Sequence, residues 1–211
     1  MSKTLALAVI FALATVTGPA MADEETPDYT VVEEVGDIEI RDYPPLLLAS
    51  VTVTGERQEA AGKAFRILAA FIFGDNAADG KIAMTAPVTQ TASEKIAMTA
   101  PVTQSAVGEG EWVVDFMMPS KYTMEKVPKP TDPRITLSTT EPYRAAAIRF
   151  SGLYTDGNFE KHREALEAFI EKRGLSVDGA PTIAYYNGPF TPFFLRRTEI
   201  IYRLATGAAS E

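Results

Sequence analysis

Cysteine is absent from all 211 residues, histidine and tryptophan occur once each, and basic residues are in the minority. Without cysteine there can be no disulfide, thiol nucleophile, zinc-thiolate or iron–sulfur site, no lipid anchor through a thioether and no Cys-x-x-Cys-His cofactor attachment. Stability must therefore come from burial. A hydrolytic triad would have to use His162, which falls on a helix, and no Gly-x-Ser-x-Gly elbow occurs. Glu33 and Glu34 are neighbours on a strand and face opposite ways, while Glu160 and Glu164 suit a solvated helix face. All four read as surface charge. Neither a calcium loop nor a glycine-rich phosphate loop is present, and no residue is expected to be catalytic or to bind a metal. Lys and Arg total 20 against 28 Asp and Glu. So acidic a chain lacks the basic footprint that nucleic acid requires.

What is present begins with a leader. Residues 1–22 have a positive start at Lys3, an apolar run from Thr4 to Val16 and a small-x-small end at Ala20-Met21-Ala22. This is the pattern of a secretory signal peptide, too short for the roughly 20 apolar residues that span a bilayer. Its removal leaves 189 residues with a net charge of −9, expected in the periplasm or secreted, with no stable membrane anchor. An acidic, flexible lead is expected over 23–28, one domain over 29–204, and a disordered tail over 205–211.

Tyr29 to Val35 and Ile38 to Tyr43 read as a hairpin about Gly36-Asp37, closed off by Pro44-Pro45, and Leu46 to Thr54 as a third strand. The spacing of Ala61, Phe65, Leu68 and Ile72 predicts a helix over 56–73 with those residues buried, ended by Gly74. A second set follows: a strand from Arg144 to Leu153, a helix from Phe159 to Arg173 burying Phe159, Leu166, Phe169 and Ile170, and strands at Thr182 to Tyr186 and Arg197 to Leu204. The two halves echo one another as strand-helix-strand units. Many strands and two helices favour α+β: an antiparallel sheet or open barrel with helices packed on it.

A sharper repeat is local. Lys81 to Gln90, KIAMTAPVTQ, recurs unchanged as Lys95 to Gln104, so that 81–94 and 95–108 form a tandem duplication. Two such units cannot build a solenoid. One copy is expected in the sheet and the other in a loop or surface hairpin.

Ile38-Glu39-Ile40-Arg41-Asp42-Tyr43, the helix end Phe71-Ile72-Phe73-Gly74-Asp75-Asn76, the Lys-Ile-Ala-Met-Thr-Ala-Pro-Val-Thr block, Phe116-Met117-Met118-Pro119-Ser120 and Tyr186-Asn187-Gly188-Pro189 follow one another in an order that resembles the SOUL haem-binding family. The resemblance implies a distorted antiparallel β-barrel with two helices and a pseudo-twofold repeat, similar to gyrase-inhibitor-like effector-binding domains. It also implies haem or another tetrapyrrole, held non-covalently on an apolar surface of the first helix and the loop before the last strand. Carried onto this chain, that surface comprises Lys63, Phe65, Arg66, Ala69 and Phe73 with Phe190, Phe193 and Phe194. Three aromatics in a proline-stiffened loop suit a planar macrocycle, and Lys63, Arg66, Arg196 or Arg197 suit its carboxylates. Equally, those rings could simply close the end of a barrel.

Some members of that family place a histidine between the Arg and Tyr of the hairpin strand; here Asp42 stands there, which argues for weak or absent iron ligation. His162 reads as structural, and Met84, Met98, Met117 and Met118 as core filler. Two other functions stay open at this level: an enzyme that removes the tetrapyrrole's metal, and a protein-interaction module with a vestigial pocket.

Overall fold

A computed structural model describes residues 25–77, 93–188 and 190–205. The leader, residues 81–92 of the first repeat copy and all but the first residue of the expected tail lie outside them. The expected hairpin forms: β1 (Thr30–Val35) pairs antiparallel with β2 (Ile38–Tyr43), and Gly36 turns between them at φ 62°, where a side chain would be strained. Then come β3 (Leu47–Thr54), α1 (Arg57–Ile72), β4 (Asn76–Ala77), β5 (Val102–Gly108), β6 (Glu111–Met117), β7 (Lys129–Pro130) and β8 (Ile135–Thr139). The chain ends its fold with β9 (Tyr143–Phe150), α2 (Asp156–Lys172), β10 (Thr182–Tyr185), a 3-10 turn at Phe193–Leu195 and β11 (Thr198–Arg203).

Nine strands make one antiparallel sheet in the order β1-β2-β9-β11-β10-β5-β6-β3-β8, and β4 pairs separately with β7. The sheet is open, which corrects the barrel implied by the family resemblance. β1 is bonded only to β2 and β8 only to β3, so two free edges remain. Both edge strands are largely exposed, and β1 carries Glu33 and Glu34, charges that discourage further pairing along an edge.

Residues opposite one another in a ladder point to the same face. Val51, Val114, Gln104, Ile183, Ile200, Ile148 and Ile38 accordingly form one row across seven strands. Both helices cover this face. α1 packs Ala64, Leu68, Phe71 and Ile72 on Ala49, Val51, Val114 and Phe116, over β3 and β6. α2 packs Phe159, Leu166 and Ile170 on Ile148, Ile200 and Tyr202, over β9 and β11, with Phe169 partly buried beside them. The central strands β5 and β10 are left between the helices.

Of the stripe expected on α1, Leu68 and Ile72 are buried, but its N-terminal half shifts by one position. The sheet takes Ala60, Ala64, Leu68, Phe71 and Ile72, while Ala61 is only half-buried and Phe65 is exposed. So rich in alanine and phenylalanine is this helix that it has two adjacent apolar stripes. One meets the sheet, and the other faces the gap toward α2.

The second repeat copy enters the sheet, its Val102, Thr103 and Gln104 opening β5. Ahead of it, Asn76 clasps the chain: its Nδ2 donates to the Phe71 and Glu94 carbonyls at 2.7 and 2.8 Å, and its Oδ1 accepts from the Glu94 N–H at 3.0 Å. Ile96 N also donates to Ile72 O at 2.9 Å. Asn76 is buried, so Asn76→Ala leaves three backbone groups short of a partner and should cost about 2 kcal/mol, read from urea unfolding. Further back, Glu25 O accepts from Ala100 N at 2.8 Å. No helix among the described residues is long and apolar enough to cross a membrane.

Candidate functional site

The gap between the helices is an apolar groove of about 420 Å3. Its floor is Val102 of β5 and its cross-strand partner Tyr185 of β10. Arg57, Gln58, Ala61, Gly62 and Phe65 of α1 make one wall, Tyr154 stands opposite, and Met98 to Ala100 with Tyr186 to Gly188 close one end. The wall is low because residue 62 is glycine: a Cβ there would meet nothing nearer than the tip of Arg66, at 3.9 Å.

Tyr154 meets Tyr185 edge to face at 5.2 Å, and the Arg196 guanidinium lies 4.5 Å from its ring centre. Its hydroxyl is buried without a hydrogen-bond partner, alone in this among the buried side-chain polar atoms of the described residues. An orphaned hydroxyl costs stability unless something else satisfies it.

Arg57 divides the gap. It donates through Nη2 to Asp156 Oδ1 at 2.6 Å and through Nη1 to the Tyr185 hydroxyl at 3.1 Å, and it lies 4.0 Å over the Phe159 ring. Burial raises the pKa of Tyr185, against the opposing pull of Arg57, so the hydroxyl stays protonated. Beyond Arg57 lies a second chamber of about 420 Å3, more polar, with Trp112, Glu160 and Arg163 in its walls.

On the far face of the sheet, Glu199 is wholly buried between two guanidiniums. Arg41 donates to it at 2.6 and 3.1 Å and Arg197 at 3.0 and 2.7 Å, while the Tyr186 hydroxyl adds a bond of 2.9 Å. Burial alone would raise the carboxyl pKa, but the two arginines hold it below the usual range. Burial, then Glu199 itself, pushes Tyr186 upward. Since Tyr186 also lines the end of the groove, this network braces the site from behind.

Of the residues that the family resemblance marked, only Phe65 lines the groove. Lys63 is drawn off to Glu59 at 2.8 Å and the Thr54 carbonyl at 3.2 Å. Arg66 is exposed, Ala69 half-buried, and Phe73 lies near the Lys95 ammonium, 5.7 Å from its ring centre. Phe190, Phe193 and Phe194 stand outside in solvent. His162 is also elsewhere: its ring stacks on Phe150 at 4.2 Å, and its Nδ1 lies 2.7 Å from the Asn158 carbonyl, which an N–H must satisfy. Met98 borders the groove, whereas Met117 and Met118 are core residues. No group of His, Asp and Glu among the described residues is arranged to hold a metal. Arg57, Gln58, Tyr154 and Tyr185 were invisible to sequence reasoning. Gly62, in the middle of a helix it weakens, was the one signal that a backbone there needs clearance.

The sequence pattern of the family described as SOUL heme-binding protein matches residues 24–203. No curated protein matches the chain. Among solved structures, the C-terminal domain of EcmrR is similar with a TM-score of 0.56 at 13% identity, covering 84% of this chain and 98% of that one. EcmrR in its complex with DNA gives 0.58 at 12% identity, covering 79% of this chain, which spans 56% of that longer one. An uncharacterised conserved protein from Listeria innocua gives 0.50 at 16% identity, covering 87% and 94%. At such identities the likeness is one of fold.

Proposed function

Because this chain belongs to the SOUL heme-binding protein family over residues 24–203, we propose that it is an exported binder or carrier of haem or another hydrophobic tetrapyrrole, using the groove between α1 and α2. The observation that carries this reading is the groove itself. Its volume falls within the roughly 300–1,000 Å3 of small-molecule sites, and its lining is apolar and aromatic with few polar groups. A planar macrocycle would lie against Ala61, Gly62 and Phe65 on one side and Tyr154 and Tyr185 on the other. Arg57, whose partner Asp156 is exposed, is placed to take a carboxylate in exchange. The bound tetrapyrrole supplies the colour and any redox chemistry; the protein supplies burial and orientation.

Iron ligation is weak or absent in this proposal. His162 lies outside the groove, and hydrophobic contact dominates. The unpartnered Tyr154 hydroxyl adds a polar contact. Export rests on the leader pattern of residues 1–22. The strand order also supports two related units, since β9-β11-β10 and β3-β6-β5 run inward from either side to meet at β10 and β5.

Haemin titration tests the proposal. Saturable one-to-one quenching of Trp112 with a shifted Soret band is expected, and unsaturable uptake would remove the reading. Tyr154→Phe should separate two effects of one hydroxyl. Stability rises by up to about 1 kcal/mol because an orphaned buried group is gone, while haemin affinity falls severalfold. Equal affinity in wild type and variant would leave Tyr154 without a role in binding.

A further inference from the structure

The phenylalanines that the groove leaves out point to a second surface. Phe190 is 98% exposed and Phe193, Phe194 and Leu195 are each at least half exposed. The bond from Gly152 N to Phe193 O, 2.9 Å, brings the turn carrying exposed Leu153 against them. One tip of the molecule thus displays five large apolar side chains. It is not a slack loop: Leu195 N closes on Pro192 O at 2.9 Å, Arg196 Nε on Thr191 O at 2.8 Å, and the rings of Phe193 and Phe194 meet edge to face at 5.4 Å. The fold holds these rings in water at a standing cost, and a soluble surface seldom does so without a partner.

Charge identifies the partner. In a chain of net charge −8, Arg149, Lys161 and Arg196 border the same recess as Phe194 and Leu195, with Asp37 as the one carboxylate there. Arg149 and Lys161 form no ion pair with any described residue. Protruding apolar rings edged by cations match an anionic lipid surface, where rings enter below the headgroups and cations remain among the phosphates. A ring as exposed as Phe190 fits a fluid interior that needs no preformed cavity, whereas a protein partner would have to supply one. The geometry points to a peripheral, reversible membrane contact in which the tip 190–195, with Leu153, docks on an anionic bilayer. It does not depend on what the groove holds.

The chain starting at Asp23, which retains every described residue, is to be sedimented with vesicles of phosphatidylglycerol and phosphatidylethanolamine, and with vesicles of phosphatidylcholine alone. Saturable binding to the anionic vesicles is expected, at least tenfold weaker on phosphatidylcholine. Phe190→Ser with Phe194→Ser should weaken it tenfold or more, and Lys161→Ala with Arg149→Ala by about fivefold per cation. The serine variant alters only exposed side chains, so its thermal midpoint and its haemin titration should match wild type, separating this surface from the groove. A wild-type protein that stays in the supernatant with anionic vesicles, or a serine variant that binds them as tightly as wild type, overturns the proposal.

Discussion

Gly62→Trp is expected to weaken haemin binding at least 100-fold, about 2.7 kcal/mol, while the protein remains folded. The argument is steric. Residue 62 lies on α1 where the helix wall of the groove is lowest, and a Cβ built there has 3.9 Å of clearance to a flexible side chain. An indole at that position fits the helix, in which almost any residue is a better former than glycine, and then occupies the space that a macrocycle needs. Because the residue faces the gap and not the sheet, melting temperature should hold or rise slightly. Gly62→Ala serves as the control: a small helix gain of up to about 1 kcal/mol and little effect on binding. If the tryptophan variant took up haemin as wild type does, the groove would not be the binding surface, whatever else the protein bound.

Removing Glu199 should be the most damaging single change to stability, at about 3 kcal/mol for Glu199→Leu, roughly 6–12 °C in melting temperature. Arg41 is 1% exposed, and without Glu199 it keeps only Glu39, at 2.6 Å, as a counter-charge. Arg197 loses both of its bonds to the carboxylate. The pH dependence follows from the direction of the Glu199 shift. Its folded pKa lies below the ordinary 4.5, so the ionised form stabilises the fold fully above that value, and the contribution is lost as pH falls through the folded pKa. The gap between wild type and Glu199→Gln should therefore be widest near neutrality and narrow below about pH 4.5. A gap that stayed constant down to pH 3 would mean the charge contributes nothing and the loss is one of packing. A second consequence should appear in binding, because Tyr186 reaches from this network to the end of the groove.

The secondary structure was largely legible because its signals are local. Gly36-Asp37 turns the first hairpin, Pro44-Pro45 ends it, and α2 has a polar face and an apolar face that leave one way to lie on a sheet. The closure of the sheet was not legible, for that depends on whether two edges distant in sequence meet, and no residue of β1 or β8 decides it alone. The site divided along similar lines. Phe65 stands on an apolar stripe that can be read, although which of two stripes meets the sheet is settled by the packing of α1 on β3 and β6. Tyr154 and Tyr185 come together from a loop and a strand, and their T-shaped contact has no trace in spacing. Arg57 takes its place from Asp156, 99 positions away and 2.6 Å from it, a pairing that no local spacing records. The phenylalanine loop stood out for its composition, which says that such rings must meet something apolar but not whether it is inside or outside the protein.

The clasp at Asn76 fastens the end of α1 to the run that leads into β5. Its side chain ties position 76 directly to positions 71 and 94, contacts that skip the intervening sequence. The amide thus works as a rivet, holding the run into β5 against the end of α1 independently of the peptide bonds between them.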